Sequence, residues 1–141
     1  MAAACGCAEG AVNLKIRDIM VLLKARVLTP DDDLEKGMPT PDEILDKEVL
    51  SACGSDMMSD VLAYVKNQSV LLTGLNNPQV VRTADMMGMV CIVFVRGKKP
   101  DQSVLKLAKS CGIVVLATDH TMFTSCGRLY EKGLRGRCPQ Q

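Results

Sequence analysis

The sequence predicts an α/β fold of three layers, with a parallel or mostly parallel sheet between flanking helices. Three observations carry that expectation. The segments 69–74 (SVLLTG), 90–95 (VCIVFV) and 113–117 (IVVLA) are short apolar runs without polar alternation, the form of strands buried on both faces. A segment of helical period, opened by Asn, Asp or Thr, follows each run. This strand–helix unit occurs three times in about 65 residues, which calls for right-handed crossovers between parallel neighbours.

Taken in order, residues 1–12 are small and weakly patterned and read as a disordered leader. Leu14, Ile16, Ile19, Met20, Leu22 and Leu23 recur at helical spacing, with Asn13 as the expected N-cap and an end near Lys24. Residues 25–28 suit a short strand. The stretch 29–43 (TPDDDLEKGMPTPDE), with three prolines and many acids, reads as a solvated loop. Residues 45–53 alternate loosely around Val49, Leu50 and Ala52 before Gly54. Ser55 and Asp56 offer N-cap chemistry for a helix lined by Met57, Met58, Val61, Leu62 and Val65.

After the strand at 69–74, Asn77 is the expected N-cap and Pro78 fits the first helical position, where its missing N–H costs nothing. That helix runs through Val81 and Met86 to Gly88. Pro100 and Asp101 open the next, through Val104, Leu105 and Ala108 to Gly112. Asp119 or Thr121 caps a last helix through Met122, Phe123, Cys126, Leu129 and Tyr130 to Gly133. The domain is drawn over 13–134, with a flexible tail over 135–141 and fraying expected within LRGRCPQQ.

Composition narrows the function. With 17 basic and 16 acidic residues the formal net charge is +1, so the electrostatic footprint of a nucleic-acid binder is missing. Aromatic residues make up 3% and there is no Trp, which removes stacking platforms for single strands and most cation–π cages. Seven cysteines at irregular spacing, without a CxxC pair, read as free thiols in a reducing compartment, hence a cytoplasmic protein with no metal site. No apolar run is long enough for a membrane span.

In open parallel sheets, ligands sit beyond the carboxyl ends of the strands, where the following helices present free N–H groups. Three loops are nominated: Thr73, Gly74, Asn76 and Asn77; Arg96, Gly97 and Lys98; and Thr118, Asp119 and His120. Amides, hydroxyls and cations together suit a small anion such as a phosphate, although turn geometry by itself also demands Gly and Asn there. Neither GxxxxGK[ST] nor GxGxxG occurs, so nucleotide hydrolysis and dinucleotide binding lack their usual hardware. A Cys126–His120 nucleophile is weighed against a surface histidine and a core cysteine. The expected inward position of Cys126, beside Met122 and Phe123, favours the latter. Cys53, Cys91 and Cys111 read as packing. The pairs Met57-Met58 and Met86-Met87 cannot both point inward on one helix, which leaves apolar surface for a partner, most simply a second copy.

The SDxxSDVLA helix after Gly54, the strand before Asn76, the segment RGKKPDQSVLKLAKSCGIVVLAT and the ending GRLYEKG together resemble the DRTGG domain family over roughly residues 43–134. The family's name-giving turns fall here at Leu75-Asn76-Asn77 and Val95-Arg96-Gly97-Lys98, where the residues differ from its motif. The resemblance implies a fold like the N-terminal domains of HPr kinase and MurF. It also implies a regulatory role, since members are fused to CBS-domain pairs in regulated pyrophosphatases, where the region takes part in dimerisation and nucleotide regulation. Stand-alone members lie beside iron-only hydrogenase and histidine-kinase-like genes.

The expected function is therefore a non-enzymatic regulatory module that dimerises and binds a small anionic metabolite at the strand-end loops, an adenine nucleotide being one candidate. No cofactor is required and no catalytic residue is assigned. The alternative is an interaction scaffold for a kinase-like or hydrogenase-associated protein partner. An iron–sulfur accessory protein ranks third, and an enzyme acting through His120 and Cys126 last.

Overall fold

A computed structural model describes residues 13–30, 42–64 and 68–136. The expected leader at 1–12, most of the acidic loop (31–41) and the last five residues lie outside the described residues. In chain order the elements are β1 (Leu14–Lys15), α1 (Ile16–Leu23), β2 (Arg26–Leu28), α2 (Asp42–Leu45), β3 (Glu48–Val49), β4 (Ser51–Gly54) and α3 (Met58–Tyr64). They continue with β5 (Ser69–Thr73), α4 (Pro78–Met86), β6 (Cys91–Phe94), α5 (Gln102–Ser110), β7 (Val114–Ala117) and α6 (Met122–Glu131).

Five strands form one sheet in the order β2-β7-β6-β5-β4. β4, β5, β6 and β7 pair in parallel, each beside the next, and β2 runs antiparallel to β7. The sheet is thus mostly parallel, as expected, with a fourth βα unit, β4–α3, that the sequence showed only as a loose alternation. Because the strand order steps in one direction, same-handed crossovers put α3, α4 and α5 on one face.

The packing shows the same division. Along β5, Leu71 joins Ile92, Phe94 and Val115 against Val61, Val80, Val81, Val104 and Leu105. Its neighbours Val70 and Leu72 join Cys91, Val93 and Leu116 against Ile16, Ile19 and Leu23 of α1 and Leu129 of α6. Period-2 alternation within an unbroken apolar run therefore feeds two cores, one on each side of the sheet.

Local chemistry sets the helix ends. Asn77 caps α4 as expected, its Oδ1 accepting the Gln79 N–H at 2.6 Å, with Pro78 in the first turn. α4, α5 and α6 close alike: the N–H groups of Met89, Ile113 and Leu134 reach back to Ala84 O, Ala108 O and Leu129 O at 2.9, 2.9 and 3.1 Å. Each closure turns on a glycine of positive φ, at positions 88, 112 and 133, and each brings a buried apolar pair together.

Four expectations are corrected. Helix α1 starts at Ile16 rather than beside Asn13, because Leu14 and Lys15 pair antiparallel with Val49 and Glu48; Asp18 then accepts the Lys15 N–H at 3.0 Å. Asp56 does not cap α3, its carboxylate being turned to Gly74 and Thr73; of the two expected caps of α6, Thr121 is the one used, accepting from Thr124 N–H at 3.3 Å. Phe123 does not face inward but is 88% exposed; one residue turns the helix by about 100°, so the inward stripe is Met122, Ser125, Cys126 and Leu129. Finally Leu134 is buried, and Arg135 O accepts the Ala52 N–H at 3.1 Å, so the chain just beyond α6 lies along the β4 edge.

The two phenylalanines are predicted to behave oppositely. Phe94→Ala, at the carboxyl end of the fully buried β6, should lose about 3–5 kcal/mol of unfolding free energy in urea. Phe123→Ala should change it by less than about 0.5 kcal/mol.

Candidate functional site

Each of the four parallel strands hands the chain to a helix at the same edge of the sheet, so four connections crowd that edge. After β6 the chain turns toward α5 on one face, and after β7 toward α6 on the other, the parting at which such sheets form a ligand crevice. Here the parting is laced shut. Arg96 N–H donates to His120 O at 2.8 Å and Gly97 N–H to Thr118 O at 2.9 Å.

Arg96 and Gly97 have φ of 60° and 68°, and Lys98 N–H donates to Val95 O at 3.2 Å, a tight turn with the sign pattern of type I′. The turn lays the Arg96 side chain over Gly74, where a Cβ would collide with the guanidinium. The absence of a side chain at Gly74 lets the guanidinium rest there; a Cβ would push this flexible, half-exposed group aside. Beside it, Asp56 Oδ1 accepts from Gly74 N–H at 2.7 Å and from Thr73 Oγ1–H at 3.0 Å, and Asp56 Oδ2 stands 3.8 Å from Arg96 Nη2. Both side chains of this ion pair are about half exposed, 50% for Arg96 and 53% for Asp56, so it adds little to stability.

The nominated residues therefore divide. Thr73, Gly74 and Arg96 meet in one cluster; Gly97 adjoins it, with Asp119 Oδ1 close to its Cα. Asn76 instead ties two loops together, its Nδ2 donating to Lys99 O at 3.0 Å and its Oδ1 accepting from Asp101 N–H at 3.3 Å. Asn77 is occupied as a cap. Thr118 is buried, its hydroxyl donating to Leu23 O at 2.6 Å and accepting from His120 N–H at 3.2 Å. Lys98 is exposed at the tip of the turn and His120 half-buried in the loop beside it.

Asp56 is the cluster member that the sequence did not nominate. Its position, two residues past the end of a parallel strand, would have signalled it had β4 been recognised, but Ser55-Asp56 before an apolar periodicity looks like a cap. Ser55 takes the local turn, its Oγ accepting the Met57 N–H at 3.0 Å.

Among the described residues, Cys53, Cys91, Cys111 and Cys126 are free thiols, Cys91 buried and the other three half-buried. Cys126 Sγ lies against Gly54, where a Cβ would sit 2.6 Å from it. Burial pushes the Cys126 thiol up, and burial followed by Cys126 and Asp60 does the same for Cys53. Fully enclosed Cys91 is raised furthest by desolvation alone. Such thiols are poor nucleophiles at neutral pH. No cluster of three or more metal-ligating side chains occurs among the described residues, and no helix there is long and apolar enough to cross a membrane.

The raised thiols set an alkaline limit. In the unfolded chain they ionise near the ordinary value of 9.0, while in the folded protein they stay protonated above it. Their contribution is complete below the unfolded value and is lost as pH climbs past it. Urea unfolding should therefore show stability falling above about pH 9, and falling less steeply in Cys91→Ala.

Known proteins match this architecture. The DRTGG domain model matches residues 18–131. No curated protein gives a significant match. Among solved structures, the chain is similar to the CBS and DRTGG domains of the regulatory region of Clostridium perfringens pyrophosphatase, crystallised with its activator diadenosine tetraphosphate. The TM-score is 0.63 and the identity 17%, over 92% of this chain and 50% of that one. The protein therefore spans about half of that regulatory region, which it resembles in fold. With a parallel sheet, its strand-end cluster and a family match running from within α1 to the end of α6, the chain belongs to the DRTGG domain family.

Proposed function

We propose that this protein is a non-enzymatic regulatory module of the cytoplasm that dimerises and binds a small anionic metabolite at the carboxyl ends of β4, β5 and β6. One observation carries the reading: the Arg96 guanidinium lies over the backbone of Gly74 at the strand ends, with Lys98 closing the same turn and Lys99 next along the chain. A planar, doubly donating cation beside a glycine amide is matched to phosphate oxygens. An adenine nucleotide is the favoured class, because the regulatory region with the similar fold takes an adenine-containing polyphosphate as its activator. Dimerisation is supported by exposed apolar side chains, among them Met57 and Met86.

The second reading is a protein-interaction scaffold without a small ligand. What favours it is the size of the exposed apolar groups: Phe123 at 88%, Val21 at 75% and Met86 at 74%.

Thermal unfolding against AMP, ADP, ATP and diadenosine polyphosphates separates the two. A ligand held at about a hundred times its Kd should add about 2.7 kcal/mol, a shift of several degrees that Arg96→Ala with Lys98→Ala abolishes. No shift at millimolar ligand would overturn the sensor and leave the scaffold. Sedimentation equilibrium should give twice the chain mass of 15.2 kDa; a monomer would refute the dimer.

A further inference from the structure

The cluster at Gly74 is a complete small-anion site, and the anion it holds is the protein's own. Two hydrogen-bond donors and a cation converge on the Asp56 carboxylate: the Gly74 N–H at 2.7 Å, the Thr73 hydroxyl at 3.0 Å, and the Arg96 guanidinium as an ion pair at 3.8 Å. Backbone amide, hydroxyl and guanidinium are the set that a phosphoryl group recruits. Thr73 is buried and its hydroxyl also accepts the Leu75 N–H at 3.1 Å, so the cradle is fixed by the end of β5. The carboxylate itself is open to solvent. It is about half exposed, it stands in the short connection between β4 and α3, and the turn there is secured by Ser55 rather than by Asp56.

We infer that Asp56 is a resident anion, occupying the place of one phosphoryl group, and that a polyphosphate ligand binds by displacing it. The inference rests on the anion-binding reading given above and deepens it. Two consequences follow from charge alone. A singly charged ligand has no advantage over a tethered carboxylate, whereas a polyphosphate brings more charge to the same donors and engages Lys98 and Lys99 as well. Displacement also breaks the hydrogen bonds by which Asp56, in the β4–α3 connection, is tied to the end of β5.

Asp56→Asn tests this, because the amide oxygen still accepts from Gly74 and Thr73 while the charge opposing the ligand is gone. With ATP and inorganic tripolyphosphate as probes in titration calorimetry, Asp56→Asn should bind at least about tenfold more tightly than wild type, the factor that 1.4 kcal/mol of relieved competition gives. Asp85→Asn, which removes one exposed carboxylate from α4, should stay within about twofold. Without ligand, modification of Arg96 by phenylglyoxal, read by peptide mass, should be several-fold faster in Asp56→Asn. If wild type binds the probes and Asp56→Asn binds them equally or more weakly, Asp56 is no competitor and the inference falls while the site stands. If neither protein binds and Arg96 is modified at one rate in both, the inference and the site fall together.

Discussion

Burial of the β4–β7 ladder on both faces is the constraint on which the rest of this structure depends. Enclosed strands must satisfy their backbone groups within the fold, and β4 to β7 do so with each other, with β2 and, at Ala52, with Arg135 O. With helices on both sides, every side chain in the central strands must then be apolar or bonded within the fold. The polar residues among these strands obey this rule. Thr73 serves Asp56 and Leu75, while Ser51 and Ser69, side by side on paired strands, share a hydrogen bond of 2.5 Å. Everything polar and unspent is driven to the strand ends, which is why the candidate site is there.

The legible parts of the fold were those whose signals are local. SVLLT, CIVF and VVLA are continuous apolar runs, and Asn77-Pro78 and Gly112 punctuate helices by chemistry that acts within one turn. The missed parts depend on partners far along the chain. Leu14 and Lys15 extend because Val49 and Glu48 are beside them, against the helical spacing of their own segment. β4 has a mixed pattern because it is the last strand of the sheet, flanked beyond by Arg135 instead of another ladder.

The site was partly legible for the same reason. That strand-end loops carry function is a property of the architecture, so Gly74 and Arg96 could be nominated without knowing their contacts. What each loop residue does was not readable. Asn, Thr and Asp serve equally as caps, loop ties and ligand groups, and the choice is made by neighbours from other units. Thr118 is claimed by Leu23, 95 residues away in sequence, and Asn76 by Lys99 and Asp101. Asp56 looked like a cap until β5 and β6 brought Gly74 and Arg96 to it.

The stretch just past α6 bears on how copies of this protein can meet. An open strand edge is a template for uncontrolled strand addition, the first step toward aggregates. At β4 that template is interrupted, since Ala52 N–H is already given to Arg135 O and residue 136 abuts Ala52 O. At the opposite edge, β2 is only three residues long and is soon followed by Pro30, which has no N–H to give to a further ladder. With both edges curtailed, a contact between copies that widened the five-stranded sheet would find few free backbone groups to pair with.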